Sequence, residues 1–288
     1  MPATQTAKNP QGYEIIFNEA EHTYTTPLCA PAVTETGTLL RAPGSSETPE
    51  TTIAFLKYTS GTTFVHHFFP EFDKDGSIAL RKAREKGVTA DQIRFEWKQN
   101  AADACSMGTR VHETCEDVLK DRRDLLGNYD FRNKPQSEEE QLIMAAGFEA
   151  AIEVKNKFEI LGIEQIVFDV DLQVAGTIDL LARDNKTNTV WILDWKTNRK
   201  IDFVNNFKND SHALRPISHL YNCSGVQYGL QLSTYEFLMK KAGYFAHDQK
   251  FRRAIFHLTP KGYKFYELPD YAIEVRDMAI AMLEQPPF

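Results

Sequence analysis

The stretch GTIDLLARDNKTNTVWILDWKTN, residues 176–198, consists of two apolar segments that flank a polar turn. Both segments are rich in the large apolar residues that strands favour, and the turn ARDNKTN between them is typical of a β-hairpin. Pairing of the two predicted strands would place Asp179 beside Asp194 and Lys196. Residues two apart in a strand point to the same face, so the pattern predicts that two carboxylates and an amine converge at one sheet edge.

The segments on both sides of this hairpin predict a sheet covered by helices. A third strand is predicted over 164–172, directly before the hairpin strands at 176–182 and 190–196. The helix upstream begins at Ser137, whose hydroxyl can cap free amide groups, and ends at Gly162. Downstream the sequence predicts, in order, a helix at 226–241, a hairpin that turns at 260–262 and a final helix at 270–284. This order is typical of an α/β or α+β fold.

The first part of the chain is less regular. Residues 13–24 alternate weakly and predict an early strand or hairpin, whereas 25–52 are rich in Pro, Thr, Ser, Gly and Glu and predict a long flexible loop. Helical sequence runs over 77–126, with breaks near Gly87 and Gly108. The predicted division is an N-terminal hairpin and loop at 1–57 and one main domain at 58–288, helical over 58–161 and sheet-forming over 162–288.

The composition is that of an ordinary globular protein. The chain has 288 residues, 42% hydrophobic and 25% charged, and no window approaches the roughly 18 apolar residues of a membrane span. The net charge of −7 argues against a protein that coats nucleic acid, but a local basic groove stays compatible with it. The N-terminus lacks the apolar core of a secretory signal, which predicts a cytoplasmic location. Four cysteines without a CxxC pair predict free thiols and no zinc site.

Paired acids next to a lysine admit two interpretations. Two buried carboxylates repel each other, and a divalent cation such as Mg²⁺ would remove that repulsion and keep positions for substrate phosphates. The lysine could then orient or deprotonate a water molecule, which is chemistry suited to phosphodiester hydrolysis. The alternative is a buried Asp–Lys ion pair, and a lone D-x-K triplet favours this alternative.

Two further pairs of residues change this balance because of their order in the chain. His112 and Glu116, and likewise Gln231 and Tyr235, are four residues apart and so share one face of a predicted helix. GTRVHETCE, GTID, DWKT and QLSTY then follow the order G-x-x-x-H-x-x-x-E, G-x-x-D, D-x-K-T and Q-x-x-x-Y. This series resembles the RecB-like, phage-type exonuclease branch of the PD-(D/E)xK nuclease superfamily, whose core is restriction-endonuclease-like.

The resemblance implies a role for each matched position. The implied catalytic residues are Asp179, Asp194 and Lys196. The implied metal ligands are His112, Asp179, Asp194 and the backbone carbonyl of Trp195, with Glu116 and Glu164 as additional candidates. The implied DNA contacts are Gln231 and Tyr235, with Ser60, Thr62, Thr63, Arg199 and Lys200 as further candidates. Ser and Thr hydroxyls often donate to phosphate oxygens, and the two basic residues directly follow the catalytic strand.

The activity implied is metal-dependent cleavage of DNA with one or two Mg²⁺ or Mn²⁺ ions and no nucleotide cofactor. We expect an exonuclease of recombination, repair or replication that acts on single- or double-stranded DNA with an end, in the host cytoplasm if the chain comes from a phage. No cysteine follows Cys223, so the iron–sulfur cluster of some RecB-like nucleases is not predicted. Without a P-loop, ATP-driven unwinding would need a helicase partner; a recombinase or a single-strand-binding protein are other candidate partners.

Two other functions stay open at this point. A nuclease-like module that only binds DNA or a partner protein would keep the scaffold without cutting, although the intact set of motif residues counts against it. A metal-dependent hydrolase of another phosphate ester is the third interpretation. In that enzyme Gln231 and Tyr235 would be harder to explain.

Overall fold

Asp179 and Asp194 lie on two central strands of a mixed sheet, which has nine strands among the described residues. The computed structural model describes residues 4–27, 55–204 and 211–284. The strands of these residues are β1 (Thr4–Lys8), β2 (Glu14–Asn18), β3 (Thr23–Pro27), β4 (Phe55–Ser60), β5 (Glu159–Asp169), β6 (Val174–Asp184), β7 (Thr189–Lys196), β8 (Phe251–Thr259) and β9 (Gly262–Glu267). The helices are α1 (Gly61–His66), α2 (Ser77–Lys86), α3 (Ala90–Leu119), α4 (Glu138–Lys157), α5 (Ser224–Ala242) and α6 (Ala272–Glu284).

The predicted fold class, a central mixed sheet flanked by helices, is confirmed. The strands follow the order β1-β2-β3-β4-β6-β7-β8-β9, and β5 pairs with β6 beside this path. Strand β4 is parallel to β6 and β7 is parallel to β8, whereas the other neighbouring pairs are antiparallel. The predicted hairpin is formed by β6 and β7, in which Leu180 pairs with Leu193.

Strand β6 changes partner along its length, and this change opens the sheet. Its first two residues pair with the end of β4, where Ser60 lies opposite Ala175. From Leu180 onward it pairs with β7 instead. Residues 176–179, the GTID segment, therefore lie between the end of β4 and the end of β7. We call this opening the fork. The hairpin alone predicted that the two acids lie at a sheet edge, whereas the fork places them inside the sheet.

Apolar side chains pack on both faces of the sheet because they alternate along each strand. On one face, Leu181 and Ile192 belong to a cluster covered by α1, α5 and α6. On the other, Leu180 and Leu193 belong to a cluster covered by α3 and α4. Val275, Met278 and Met282 of α6 are buried. Among the described helices, none is both long and apolar enough to cross a membrane.

Helix α3 continues through Gly108, where the sequence predicts a break. The helix is 30 residues long and starts with a capping box formed by Thr89 and Gln92. A glycine inside a helix costs only about 1 kcal/mol relative to alanine, which the packing of a long helix offsets. The predicted break at Gly87 is confirmed, since that residue ends α2 in the left-handed conformation. Helix α3 ends at Leu119, before the predicted limit at residue 126.

Helix α4 begins as predicted but ends earlier. The Ser137 hydroxyl accepts a hydrogen bond of 3.1 Å from the Glu140 amide. The helix ends at Lys157, and Gly162 lies inside β5 beside a β-bulge instead of at a helix end. Residues 159–163 are mostly apolar, so periodicity cannot separate the last turn of a helix from the first residues of a strand.

The N-terminal strands extend the same sheet. Strands β1, β2 and β3 form an antiparallel meander, and β4 connects β3 to β6. Ile15, Phe17 and Tyr24 pack there against Ile166 and Phe168 of β5. Most of the predicted loop at 25–52 lies outside the described residues. The predicted domain division at residue 57 falls within β4 and stays a prediction.

Candidate active site

The fork opens into a cavity of about 570 Å³. Three walls surround it: residues of β1–β3 on one side, the start of α1 with α5 on the second, and α3 with the segment that follows it on the third. The floor carries Glu164, Asp179, Asp194 and Lys196. A cleft of this size can hold a small molecule or a group the size of a nucleotide.

Three potential metal ligands meet at the fork. His112, Glu164 and Asp179 come from α3, β5 and β6, and each offers a ligand atom within 4.8 Å of the other two. His112 Nδ1 lies 3.2 Å from Asp179 Oδ2. The same carboxylate oxygen accepts a hydrogen bond of 3.0 Å from the Trp195 amide. The end of β7 therefore fixes the orientation of the acid on β6.

Glu164 reaches this group through an unusual backbone conformation. Its φ is +52°, a value that costs a residue with a side chain on the order of 1–3 kcal/mol and is most common at functional positions. The residues before and after it pair with Leu180 and Ile178, so Glu164 lies opposite Asp179. Burial, followed by the charges of Asp179 and Glu116, raises the pKa of Glu164 to about 9.

Asp194 and Lys196 form a close ion pair on β7. Asp194 Oδ2 lies 2.6 Å from Lys196 Nζ, and Asp194 is only 4% exposed. Burial and the charge of Asp179 raise the pKa of Asp194 to about 6. Burial acts to lower the pKa of Lys196, but Asp194 and Asp179 outweigh it and hold this pKa above its usual range. Lys196 is therefore a cation at neutral pH.

This donor set fits a divalent cation. Three carboxylates share the fork, and the raised pKa values of Glu164 and Asp194 indicate that the protein does not fully compensate their negative charge. Oxygen ligands with one imidazole suit Mg²⁺ or Mn²⁺. The residues that would hold such an ion are His112, Glu164, Asp179 and Asp194. The non-catalytic interpretation, a buried ion pair between Asp194 and Lys196, would leave Glu164 without a role.

The peptide of Trp195 lies beside the acids, whereas its side chain does not. The indole packs against Phe256 with ring centres 5.0 Å apart and is buried under α3 and α4. Its amide donates to Asp179, as described above. The proposed metal ligand at this position is the backbone carbonyl, which remains a prediction.

Glu116 has partners of its own. It is buried and ion-paired with Lys120 and Arg132. Burial would raise its pKa, but hydrogen bonds from these two cations outweigh burial and lower it. Glu116 lines the cavity without joining the group formed by His112, Glu164 and Asp179. Each of its two carboxylate oxygens already accepts a hydrogen bond from one of these cations.

Gln231 and Tyr235 lie one turn apart on the second wall. Gln231 Nε2 donates to the Tyr235 hydroxyl at 3.0 Å and lies 3.3 Å from Thr62 Oγ1. Tyr235 is buried, and its ring fills the space beside Gly61 and Gly176. A Cβ added at Gly176 would lie 2.3 Å from Tyr235 Cε1. The glycine of GTID is therefore explained by the close approach of this ring.

The other predicted DNA contacts divide into two groups. Ser60 and Thr62 line the cavity, and Ser60 caps α1 by accepting the Thr63 amide at 3.1 Å. Arg199 and Lys200 are exposed and are not part of the cavity lining. Lys200 forms an ion pair of 2.5 Å with Asp202.

Sequence reasoning missed two contributions to the site. The first is the wall formed by residues of the early hairpin, including His22 and Tyr24. It was missed because nothing in the local sequence indicates where this hairpin packs. The second is Tyr228, whose ring lies 4.7 Å from Lys196 Nζ and whose hydroxyl donates to Asn198 Oδ1 at 2.8 Å. Tyr228 is three residues before Gln231, a spacing that could have placed it on the same helix face.

Comparison with known proteins adds one finding to this geometry. No individual curated protein matched the chain. A sequence model of the PD-(D/E)XK nuclease superfamily, whose members use divalent metal ions, matches residues 83–285, well over half of the chain. The central mixed sheet flanked by helices is consistent with the restriction-endonuclease-like fold of these nucleases. The chain therefore belongs to the PD-(D/E)XK nuclease superfamily.

Proposed function

We propose that the protein is a metal-dependent deoxyribonuclease of the RecB-like branch, and that it acts as an exonuclease. The observation that carries this proposal is the convergence of His112, Glu164, Asp179 and Asp194 beside Lys196 in an open cavity. Membership of a nuclease superfamily supports hydrolysis of DNA as the reaction class. The series G-x-x-x-H, G-x-x-D, D-x-K-T and Q-x-x-x-Y supports the finer assignment to the branch.

The acids of the fork form the proposed metal centre. A divalent cation held by their oxygens and by the His112 imidazole would neutralise them and stabilise charge on the scissile phosphate and the leaving oxygen. Asp179 is oriented for this task by the Trp195 amide. Glu164 and Asp194 must lose their protons to bind a cation, and their raised pKa values imply that binding releases them. Mg²⁺ and Mn²⁺ both suit this donor set.

Lys196 is the proposed catalytic cation. Because its pKa lies above the usual range, it donates hydrogen bonds to the attacking water or to a phosphate oxygen instead of removing a proton. The Tyr228 ring 4.7 Å from Nζ and the Asp194 carboxylate 2.6 Å away hold the ammonium between α5 and β7. This arrangement positions the charge before the substrate arrives.

The second wall is proposed to position the DNA strand. Gln231 and Thr62 offer polar groups at the cavity surface, and the hydrogen bond from Gln231 to the Tyr235 hydroxyl holds the Gln231 side chain in place. Ser60 donates its hydroxyl proton to Thr63 Oγ1 at 2.8 Å, so Ser60 can donate to a phosphate only if that bond opens, whereas the Thr63 hydroxyl keeps its own proton as a donor. Arg199 and Lys200 would meet phosphates farther along the strand. A recombinase, a helicase or a single-strand-binding protein remains the proposed partner class.

The direct test is cleavage of end-labelled linear DNA with Mg²⁺ or Mn²⁺ and again with EDTA. We expect metal-dependent cleavage that Asp194→Asn abolishes. Asp171→Asn is the matched control, because Asp171 is an 81% exposed acid that does not line the cavity. Absence of cleavage with every metal, combined with DNA binding, would favour the non-cutting module instead.

A second comparison tests the exonuclease assignment. The same protein is incubated with linear DNA and with covalently closed circular DNA of identical sequence. An exonuclease degrades the first and leaves the second intact. Equal degradation of both would show an endonuclease and would overturn this part of the proposal while keeping the metal-dependent chemistry.

A further inference from the structure

We propose that the N-terminal meander carries a base-stacking subsite, in which the exposed ring of His22 stacks on a nucleobase of a single DNA strand whose phosphate lies at the fork. This inference rests on the proposed function and adds the substrate form and a binding residue to it. The strands involved precede residue 83, so they lie outside the region that matches the superfamily.

The subsite is a packed aromatic group on the first wall of the cavity. Phe17 and Tyr24 are buried and stacked, with ring centres 4.6 Å apart. His22 stands edge-on to both, 5.4 Å from Phe17 and 6.3 Å from Tyr24. Only the His22 side chain of these three is exposed, and all three line the cavity. Two buried rings thus support one accessible ring.

The backbone holds His22 in place at a cost. Its φ is +51°, in the left-handed region that residues with a side chain seldom adopt. The turn between β2 and β3 therefore presents the imidazole toward the cavity in a conformation that a glycine or asparagine would adopt more readily. Such strained positions are concentrated at binding and catalytic sites.

The group is connected directly to the acid cluster. The Tyr24 hydroxyl hydrogen-bonds Thr177 Oγ1 at 2.7 Å, and Thr177 belongs to the GTID segment two residues before Asp179. Burial, followed by nearby Glu164 and Asp179 carboxylates, raises the pKa of Tyr24 to about 12. A nucleotide bound with its phosphate at the fork would therefore have this wall within reach of its base.

The charges of the cavity favour a base, not a phosphate, at this wall. Lys120 and Arg132 line the third wall together with Glu113 and Glu116, and Lys196 lies on the floor. Among the described residues, the N-terminal wall offers no lysine or arginine to the cavity and contributes Glu19 beside His22. A phosphate would be repelled there, whereas the face of an uncharged base can stack on an aromatic ring. Bases stacked in a duplex do not offer that face, which favours an unpaired strand.

The test measures binding of a fluorescent single-stranded oligonucleotide by anisotropy, with Ca²⁺ in place of Mg²⁺, for the full-length protein and its variants. A second oligonucleotide of equal length carries abasic sites. We expect His22→Ala to weaken binding of the normal oligonucleotide by about fivefold or more, the usual effect of losing one base stack. The abasic oligonucleotide should bind the wild type and His22→Ala equally, because no base is left to stack.

Two variants separate stacking from other effects. His22→Phe keeps an aromatic face and should bind like the wild type. His219→Ala removes an exposed histidine that pairs with Glu274 and does not line the cavity, so it should change nothing. Thermal melting of each variant checks that the fold is intact.

The outcomes distinguish this inference from the proposed function. A wild type that cleaves DNA with metal, together with an unchanged affinity of His22→Ala, would overturn the subsite and leave the nuclease assignment standing. Equal losses for His22→Ala on normal and abasic oligonucleotides would also overturn it. A wild type that neither binds nor cleaves DNA would overturn both.

Discussion

The role of Lys196 in cleavage can be tested separately from the roles of the neighbouring acids. We predict that Lys196→Ala lowers the cleavage rate by about 10²-fold or more, since it removes a pre-positioned cation from the charge that develops during reaction. DNA binding should change little, because one floor residue contributes little to the contacts along a strand. Lys157→Ala is the matched control: Lys157 is an exposed lysine that pairs with Glu153 and does not line the cavity. Wild-type rates for Lys196→Ala, measured by single-turnover cleavage, would remove this lysine from the mechanism.

Glu164 carries a second prediction at this scale, through its proton. Its pKa of about 9 means that it is protonated at pH 7.5 in the metal-free protein, whereas a metal ligand must be ionised. We expect Mn²⁺ or Mg²⁺ binding to release close to one proton at pH 7.5 and fewer as the pH rises toward 9. Affinity for the metal should fall as the pH is lowered, and more steeply below pH 6, where Asp194 also binds a proton.

Calorimetric titration of the metal in buffers of different ionisation enthalpy measures that proton release. The glutamine of Glu164→Gln has no carboxyl proton, so this substitution should abolish most of the proton release and also weaken metal binding. Glu159→Gln is the control, because Glu159 is an exposed acid on the same strand and does not line the cavity. Proton release that is unchanged in Glu164→Gln would show that Glu164 is not a ligand.

At the scale of elements, α5 and β6 fit together through one glycine and one ring. We predict that Gly176→Ala destabilises the fold by about 1–3 kcal/mol, since its Cβ would lie 2.3 Å from Tyr235 Cε1 in a packed interior. Gly108→Ala is the matched control: its Cβ would lie 3.5 Å from the nearest side-chain atom, and alanine favours a helix. Chemical denaturation measures both, and Tyr235→Leu should relieve part of the Gly176→Ala effect. Equal stability of the two alanine variants would refute the packing argument.

How far the sequence predicts these elements depends on whether the signal is local. Hairpin β6–β7 and the start of α4 follow from alternation and from one capping serine, so they were predicted. Gly108 and Gly162 were misinterpreted because a glycine marks a break only when packing does not override it. The position of Glu164 beside Asp179 depends on a bulge, and that of His22 on the pairing of β4 with β6. Neither contact leaves a local pattern, so sequence reasoning gave Glu164 only as a candidate and missed His22.

For the whole molecule, the N-terminal strands complete the sheet. We predict that a chain beginning at residue 83, where the superfamily match starts, does not fold stably. It would lack β4 and would expose Phe168 and Ile166, which β2 and β3 now cover. Circular dichroism and size-exclusion chromatography of the truncated and full-length chains measure the difference. A monomeric, cooperatively melting truncated protein would show that the meander is an appendage, as the predicted division at residue 57 supposes.

The fork has a consequence for the order in which the molecule is assembled. One arm, β7, follows β6 directly in a hairpin, whereas the other arm, β4, lies far earlier in the chain. The parallel pairing of β4 with β6 therefore closes a long loop, which is entropically expensive. We therefore expect the hairpin β6–β7 to form early and the cleft to close last. During refolding, pulse-labelled amides of β7 should gain protection before those of β4. If β4 docks last, the cavity wall that α1 forms directly after β4 is also completed last, and a partly folded chain should not yet cleave DNA.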